Sequence, residues 1–479
     1  MQNSKPTLAF YGGPWMSFAP FVIFLVLIMI TTFGFGSISD GALWLPAFLG
    51  ISLPFFLAKD KKQYTDALVN GLCSKEAILP IVCWLFAGVF SRILRESGLA
   101  DGIAGLAANA GVSSLWFTVI VFIASALFAT ATGTGFGTIA AGMGVLYPAG
   151  IALGAHPGLL AGAIISGAAF GDNVAPISDT TICSATSQGV DIPGVVKSRL
   201  KYALAAAAIT IIALLIAGSF LQEPSAARET YVYNPNTLWM LIPVALTLVA
   251  AAKSGNIIVA TTIGSVIAAI IACLAGLMDF IQIDVANPTT PALFQISGEG
   301  LERTVGGVIQ TGLSSMIQVC ILALLLFGAT AIMRAGGGDK KLLHVFHKIA
   351  KGAVGAEIII SLMVIILSTL MGLNAPAILA VGASFAKPLA EQYQIGSYRT
   401  ANLLDAQSNT FVYCMPWTPA IVYTLGFAAD TNAPLAATEI TPFVFYSFAL
   451  LLVMIVSIIF GIGRKDAPKP VIISQKEAA

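Results

Sequence analysis

Stretches of about twenty apolar residues recur along this chain, and nothing constrains its fold more. A run of that length crosses the hydrocarbon core of a bilayer as a helix. Such runs fall at about 15–36, 42–58, 75–97, 200–221, 238–252, 256–278, 310–334 and 441–463, the 238–252 run being short and dependent on its flanks. Only 10% of the 479 residues are charged and 57% are hydrophobic, whereas a soluble protein carries roughly 25% charged residues. The chain cannot cover a water-facing surface of its size. It reads as an all-α polytopic membrane protein built as one integral domain.

Several function classes drop out on composition. No basic stretch is interleaved with aromatics, so nucleic acid is not an expected partner. Cys73, Cys83, Cys183, Cys273, Cys320 and Cys414 form no Cys-x-x-Cys pair and read as small buried hydrophobes. His344 and His347 sit in a lysine-rich loop with no metal-binding pattern, and no cofactor is expected. No nucleophile–histidine pairing falls within the apolar segments, so the chain does not read as an enzyme. The first apolar run, 18–35, is long enough to span and lacks a cleavage site, so it is no signal peptide.

The chain repeats itself in layout. Trp15-Met16 followed by Pro20 opens the first half, and Trp239-Met240 followed by Pro243 opens the second. Each opening leads through a second helix to an amphipathic stretch, at about 59–72 and 297–309. A long helix follows, then a region interrupted by Gly, Pro, Asn and Thr, then a final clean helix. This order gives a first repeat at 1–222, a connecting loop at 223–237, a second repeat at 238–464 and a cytoplasmic tail at 465–479. Basic residues cluster at 59–62, 197–201 and 334–351 and in the tail, while 279–302 and 428–440 are mainly acidic. The excess of Lys and Arg marks cytoplasmic loops, which puts both termini inside and makes the repeats inverted. Each repeat then needs five crossings and one re-entrant hairpin. The hairpins are expected at about 115–150, with a tip at Thr130–Thr138, and at about 354–388, with a tip at Met371–Pro376. The broken crossings are expected at about 158–188 and 398–427.

Polar groups concentrate in these interruptions. Between two apolar runs lies Gly171-Asp172-Asn173-Val174-Ala175-Pro176-Ile177-Ser178-Asp179-Thr180-Thr181. Irregular backbone at membrane depth survives only where protein or a water-filled cavity satisfies it, and ionisable groups there are functional candidates. Asp172, Asn173, Ser178, Asp179, Thr180 and Thr181 offer the oxygen donors that a hard cation selects. Unwound carbonyls would add to them, as half-helix ends do in transporters. A desolvated carboxylate also holds a proton, so Na+ and H+ compete for one place. Asp172, Asp179 and Asp405 are the expected Na+ ligands. Asp405, with Ser408 and Asn409, is expected to fall where Asp172 falls in the first half and to add a second negative charge to one central cavity. Thr132 and Thr134 at the first tip and Asn374 at the second complete the candidate set. Glu357 and the pair Arg92–Glu96 read as ordinary helix-end residues, and no intramembrane arginine stands out.

These motifs resemble a known group. The Asp172–Thr181 segment is similar to the Gly-Asp-(Lys)-x-Ser-Pro-Leu-Ser-Asp-Thr-Thr signature of the NhaC family of sodium–proton antiporters. Thr132-Gly133-Thr134 and the pairing of Asp405 with Pro416-Trp417 resemble that family's Thr-Gly-Thr and Asp … Pro-Trp-Asn patterns. The resemblance implies a bacterial inner-membrane location, the inverted-repeat fold of the wider ion-transporter superfamily, and secondary transport driven by Na+ or H+. Asn173 stands where Lys is common, Ala175 where Ser is common and Thr418 where Asn is common. The expectation is therefore Na+/H+ exchange by alternating access. The alternative is a Na+- or H+-coupled carrier of a small organic solute, an amino acid or carboxylate. The expected partners are membrane lipids and a monovalent cation, with the organic solute as alternative cargo and a homodimer admitted.

Overall fold

Each half opens on a short 3-10 turn set by a proline, Pro14–Phe18 and Pro235–Met240. The turns present Trp15 and Trp239 outward, 46% and 57% exposed, as expected for indoles at a membrane–water boundary. A computed structural model of the chain describes residues 8–30, 40–176, 178–221, 233–254, 256–285, 289–298, 302–347, 351–429 and 431–467. The first half continues through α1 (Ala19–Met29), α2 (Asp40–Ser52), α3 (Lys61–Leu72), α4 (Lys75–Glu96) and α5 (Leu99–Asn109). Then come α6 (Ser114–Thr132), α7 (Gly135–Ala141), α8 (Tyr147–Ala152), α9 (Pro157–Val174), α10 (Asp179–Gln188) and α11 (Ile192–Leu221). The second half follows the same plan with α12 (Leu241–Ser254), α13 (Ile257–Leu274), α14 (Val308–Ser314), α15 (Ile317–Ala335) and α16 (Gly338–His347). It goes on with α17 (Gly352–Met371), α18 (Asn374–Val381), α19 (Lys387–Gln392), α20 (Ser397–Ser408), α21 (Pro419–Ala429), α22 (Ala437–Ile440) and α23 (Phe445–Phe460).

The halves interlock reciprocally. α3 packs on α15 while α14 packs on α4, and α10 meets α18 while α21 meets α7. α11 and α23, the closing helices, pack on each other. Among the described residues Gly135–Ala152, Pro157–Gln188, Ile192–Leu221 and Gly352–Met371 are long and apolar enough to cross a bilayer. Ala437–Phe443 with Phe445–Phe460, bent by 43°, makes a fifth. Shorter apolar helices such as Ile258–Leu274 fill the remaining positions.

Both hairpins form where the sequence places them. α6 stops at Gly133 (φ 68°) and α17 at Gly372 (φ 66°), left-handed positions that other residues adopt at a cost. Each returning arm carries a π-helical turn at the same place, Gly142–Leu146 and Gly382–Ala386. α8 packs against α6 and α19 against α17; arms that continued outward would lie too far away for either contact. The broken crossings also form, with a short gap between α9 and α10 and a longer one between α20 and α21 that holds the turn Phe411–Tyr413.

Four expectations need correction. The stretch at 297–309 is no amphipathic helix: it contains the end of a small sheet and the start of α14. That sheet comprises β1 (Asp279–Ile283), β2 (Ala292–Ser297) and β3 (Thr304–Gly306), with β1–β2 parallel and β2–β3 antiparallel. The 310–334 run is two helices, because it breaks at Ser315-Met316 between α14 and α15. The basic segment at 334–351 holds the amphipathic helix α16, so His344 and His347 lie on a helix rather than in a loop; their side chains are outside the described residues. Asp405 does not occupy the position of Asp172. Both broken crossings start at equivalent points, Pro157 and Ser397, yet Asp172 lies near the end of α9 and Asp405 about two turns nearer the start of α20.

Candidate functional site

Asp172 sits at the last turn of α9, where the helix gives way at Ala175 (ψ 128°) and Pro176. A helix end leaves carbonyls unsatisfied, and here side chains from elsewhere fill that role. Ser178, the N-cap of α10, donates from Oγ to Asp172 Oδ1 at 2.7 Å. Tyr413 OH donates to Oδ2 at 2.9 Å, and Asn374 Nδ2 approaches the same oxygen at 3.4 Å. Thr180 Oγ1 donates to the Asp172 carbonyl at 3.3 Å. Asp172 is 5% exposed, and among the described residues no cation pairs with it. Its partners are hydroxyls and an amide, all neutral.

Asp405 is fully buried in a different setting. Arg199, itself fully buried, pairs with Oδ2 at 2.7 Å. Ser184 Oγ donates to the same oxygen at 3.3 Å, while Asn173 Nδ2 and Asn409 Nδ2 each donate to Oδ1 at 3.0 Å. Asn374 joins the two carboxylates, because its Nδ2 also donates to Asn409 Oδ1 at 2.7 Å. Asp172, Asn374, Asn409 and Asp405 therefore form one hydrogen-bonded line, well within two helix diameters (each about 10 Å). The two carboxylates share one cluster, as expected. The expected second negative charge is a different matter, since the Arg199 guanidinium compensates Asp405.

The second tip lies between this cluster and open space. A cavity of about 520 Å³ opens between α3, α15 and the tip, lined by Asp66, Asn70, Thr330, Arg334, Leu373 and Pro376 among others. Leu373 and Pro376 flank Asn374 in the chain, so a thin layer at the tip separates the cavity from Asp172. Arg334 donates from Nη2 to the Pro376 carbonyl at 3.4 Å and ties the tip to α15. The first tip also comes close to the cluster. A Cβ at Gly135 would overlap the Tyr413 hydroxyl, so only glycine lets α7 come this close to the group that holds Asp172.

The remaining candidates divide. Asn173 and Thr181 belong to the cluster: Asn173 Oδ1 accepts from Tyr446 at 3.2 Å, and Thr181 Oγ1 accepts from Arg199 at 2.9 Å. Asp179 opens α10 with its carboxylate turned toward the Thr180 N–H; it makes no hydrogen bond to Asp172 but lies near enough to act on that carboxylate as a like charge. Ser408 donates to its own helix, to the Asp405 carbonyl at 2.8 Å. Thr134 caps α7 by accepting from Gly137 N at 3.2 Å and stands outside the line of carboxylates. Ile177 and the Thr132 side chain lie outside the described residues.

The Na+/H+ antiporter family pattern matches residues 7–219 and 221–462, nearly the whole chain. The chain belongs to this family. Among its relatives, a malate-2H(+)/Na(+)-lactate antiporter of Bacillus subtilis is 24% identical over 73% of this chain and 75% of its own length. The Na(+)/H(+) antiporter NhaC of Alkalihalophilus pseudofirmus is 26% identical over 60% of this chain, which spans 62% of that protein. NhaC of Bacillus subtilis is 22% identical over 84% of this chain and 88% of its own length. Among solved structures, the YdaH transporter of Alcanivorax borkumensis aligns with a TM-score of 0.41 at 14% identity, covering 86% of this chain and 91% of that one. This family membership makes the chain a multi-pass membrane transporter.

Three buried ionic residues do not stand out in the sequence. Arg199 stands between Lys197 and Lys201 in what looks like a basic loop, yet it lies on α11. The signal was available: Val195, Arg199, Tyr202, Ala206 and Thr210 fall on one helical face, and all are buried. Glu357, read as an ordinary helix-end residue, is fully buried and holds Arg399 Nε at 2.8 Å and Arg464 Nη2 at 2.9 Å. Arg399 is buried as well and lies over the Tyr202 ring at 5.4 Å. This second ionic cluster binds α17 and α20 to the segment after α23.

Proposed function

We propose that this protein exchanges Na+ for H+ by alternating access, with Asp172 as the group that either ion neutralises. The observation that carries the reading is the company Asp172 keeps. A carboxylate withdrawn from water with only neutral partners needs a proton or a cation to compensate it, and a small hard cation suits its carboxylate, hydroxyl and amide neighbours. The cavity under the second tip is the access route in this reading. Arg334 lines it, at the start of the basic segment 334–351 that belongs to the cytoplasm in this reading. The location that follows is a bacterial inner membrane with both termini cytoplasmic. The partners are lipids and a monovalent cation, and the site admits a homodimer without requiring one. In proteoliposomes, Asp172→Asn should abolish Na+-driven proton movement while the protein still folds, and wild-type kinetics in that variant would refute the assignment. Cysteines placed in 334–351 should label only from inside and those in 428–440 only from outside.

The buried arginines favour a second reading, a coupled carrier of a small carboxylate like the malate–lactate relative. A carboxylate cargo needs a guanidinium free to receive it. Arg199 is taken by Asp405, whereas Arg399 holds Glu357 through Nε alone and leaves its two terminal nitrogens without a hydrogen-bond partner among the described residues; the neutral surroundings of Asp172 rank this reading below cation exchange. Counterflow of labelled malate or lactate against a Na+ gradient separates the two, because uptake that survives Asp172→Asn belongs to the carrier reading alone.

A further inference from the structure

The Arg199 guanidinium is ringed by oxygen acceptors of the kinds that a hard cation takes. It meets five oxygens: Asp405 Oδ2 at 2.7 Å, Thr181 Oγ1 at 2.9 Å, Asn402 Oδ1 at 3.1 Å, Ser184 Oγ at 3.4 Å and the backbone carbonyl of Asn173. One carboxylate, one carbonyl from the last turn of α9, two hydroxyls and an amide oxygen make the donor set of a hard monovalent cation. The ligands come from the end of α9, from α10 and from α20, so both broken crossings contribute. Half-helix ends of this kind hold Na+ in transporters. All five ligand residues are fully buried or nearly so, and the charge at the centre is attached to α11 by its own side chain.

We propose that Arg199 is a tethered cation that permanently fills a second monovalent-cation site, leaving Asp172 as the one site that loads and unloads. The two broken crossings each bring one buried carboxylate, at different depths along its helix, into the same cluster. In this chain one of them has been given a counter-ion that cannot leave. Arg199 thereby fixes the number of exchanged cations and locks α9, α10 and α20 together while Asp172 turns over. The consequence for ion count rests on the proposed role of Asp172; the occupancy of the second site does not.

The test removes the tether and asks whether a free ion takes its place. All variants are built on Asp172→Asn, so the first site cannot answer, and melting is followed in NaCl, KCl and choline chloride at equal ionic strength. Adding Arg199→Ala should lower the melting temperature in choline chloride, and NaCl should restore it saturably, as a ligand that binds only the folded state does. Adding Arg199→Lys should give a protein indifferent to the salt. Adding Arg199→Ala and Asp405→Asn together should give a folded protein that is also indifferent, because the carboxylate that calls for a cation is gone. Equal melting of the Arg199→Ala variant in all three salts would overturn the proposal, as would an equal Na+ response without Asp405. Failure to isolate the Arg199→Ala variant in NaCl, when its combination with Asp405→Asn folds, would overturn it too. A Na+ response of the Asp172→Asn parent would instead count against Asp172 as the exchanging site.

Discussion

Asp172 and Asp405 are both buried carboxylates on broken crossings, but they are neutralised differently. Asp172 has Ser178, Tyr413 and Asn374 around it, and no fixed charge among them. Asp405 has Asn173, Asn409 and Ser184 in much the same manner, plus Arg199 at 2.7 Å. One guanidinium separates a site that must recruit its counter-ion from solution from a site that never has to. Each broken crossing carries one buried carboxylate, and in the proposed scheme the side chains around it decide which of the two exchanges its ion.

The contrast breaks most visibly when each carboxylate is neutralised. Asp172→Asn should remove transport and leave the melting temperature near that of wild type, since nothing charged is left unpaired. Asp405→Asn should do the reverse, stranding Arg199 in the protein interior at a cost of about 3–5 kcal/mol, read as a lowered melting temperature. A melting temperature equal to that of wild type would mean that Arg199 does not depend on Asp405 for its charge balance and would erase the distinction.

A smaller effect sharpens the description of the mobile site. Tyr413→Phe deletes a hydrogen bond to a carboxylate, worth about 1.5–3 kcal/mol when one partner is charged. Na+ then meets a carboxylate no longer oriented from that side, and half-activation should rise by roughly tenfold or more. Tyr446→Phe removes a bond to the neutral Asn173 amide and should change Na+ activation less. Equal effects in initial-rate measurements would show that Tyr413 has no special relation to the ion.

The smallest effect lies outside the membrane, where the two broken crossings touch again. Tyr398, near the start of α20, donates to Asp191 just before α11, and Gly194 N donates to the same carboxylate at 2.7 Å. The Tyr398 hydroxyl holds the Asp191 carboxyl below its ordinary 3.8, and its own pKa is pushed up to about 12 by that bond. A lowered carboxyl contributes stability above its unfolded value that is lost as pH falls through the folded one. A raised phenol contributes below its ordinary 10 that is lost as pH rises through about 12. Tyr398→Phe should therefore lower the melting temperature slightly and evenly between about pH 4 and 10, and the difference should vanish at both extremes. A deficit confined to neutral pH would contradict this pairing.

Much of the layout could be read directly. Gly133 and Gly372 announced the hairpin tips, Gly171 to Pro176 announced the first break, and Asp172 stood out because its neighbours are apolar. What stayed hidden depends on contacts between distant segments. Arg199 resembled its flanking lysines in one dimension and differed from them only in the helical face it occupies. Asp405 was found but set in the wrong register, because counting from a conspicuous motif ignores where each helix starts. The small sheet at 279–306 is hard to see in sequence, because strands of three to six residues are too short to establish an alternating pattern between long apolar helices. Glu357 looked like a helix-end charge until Arg399 and Arg464, 42 and 107 residues away, closed on it.

The reciprocal packing of the halves also bears on how the protein is made. Asn173 hydrogen-bonds to a residue 232 positions later, and α7 and α10 complete their surroundings with α21 and α18. At synthesis rates of about 5–20 residues per second the first half waits on the order of ten seconds or more before its partners leave the ribosome. Throughout that interval its interrupted helices carry polar groups with nowhere to bond inside lipid. The first half is thus an unfinished object in the bilayer, and maturation of this transporter is an assembly reaction between two pieces that happen to share one polypeptide.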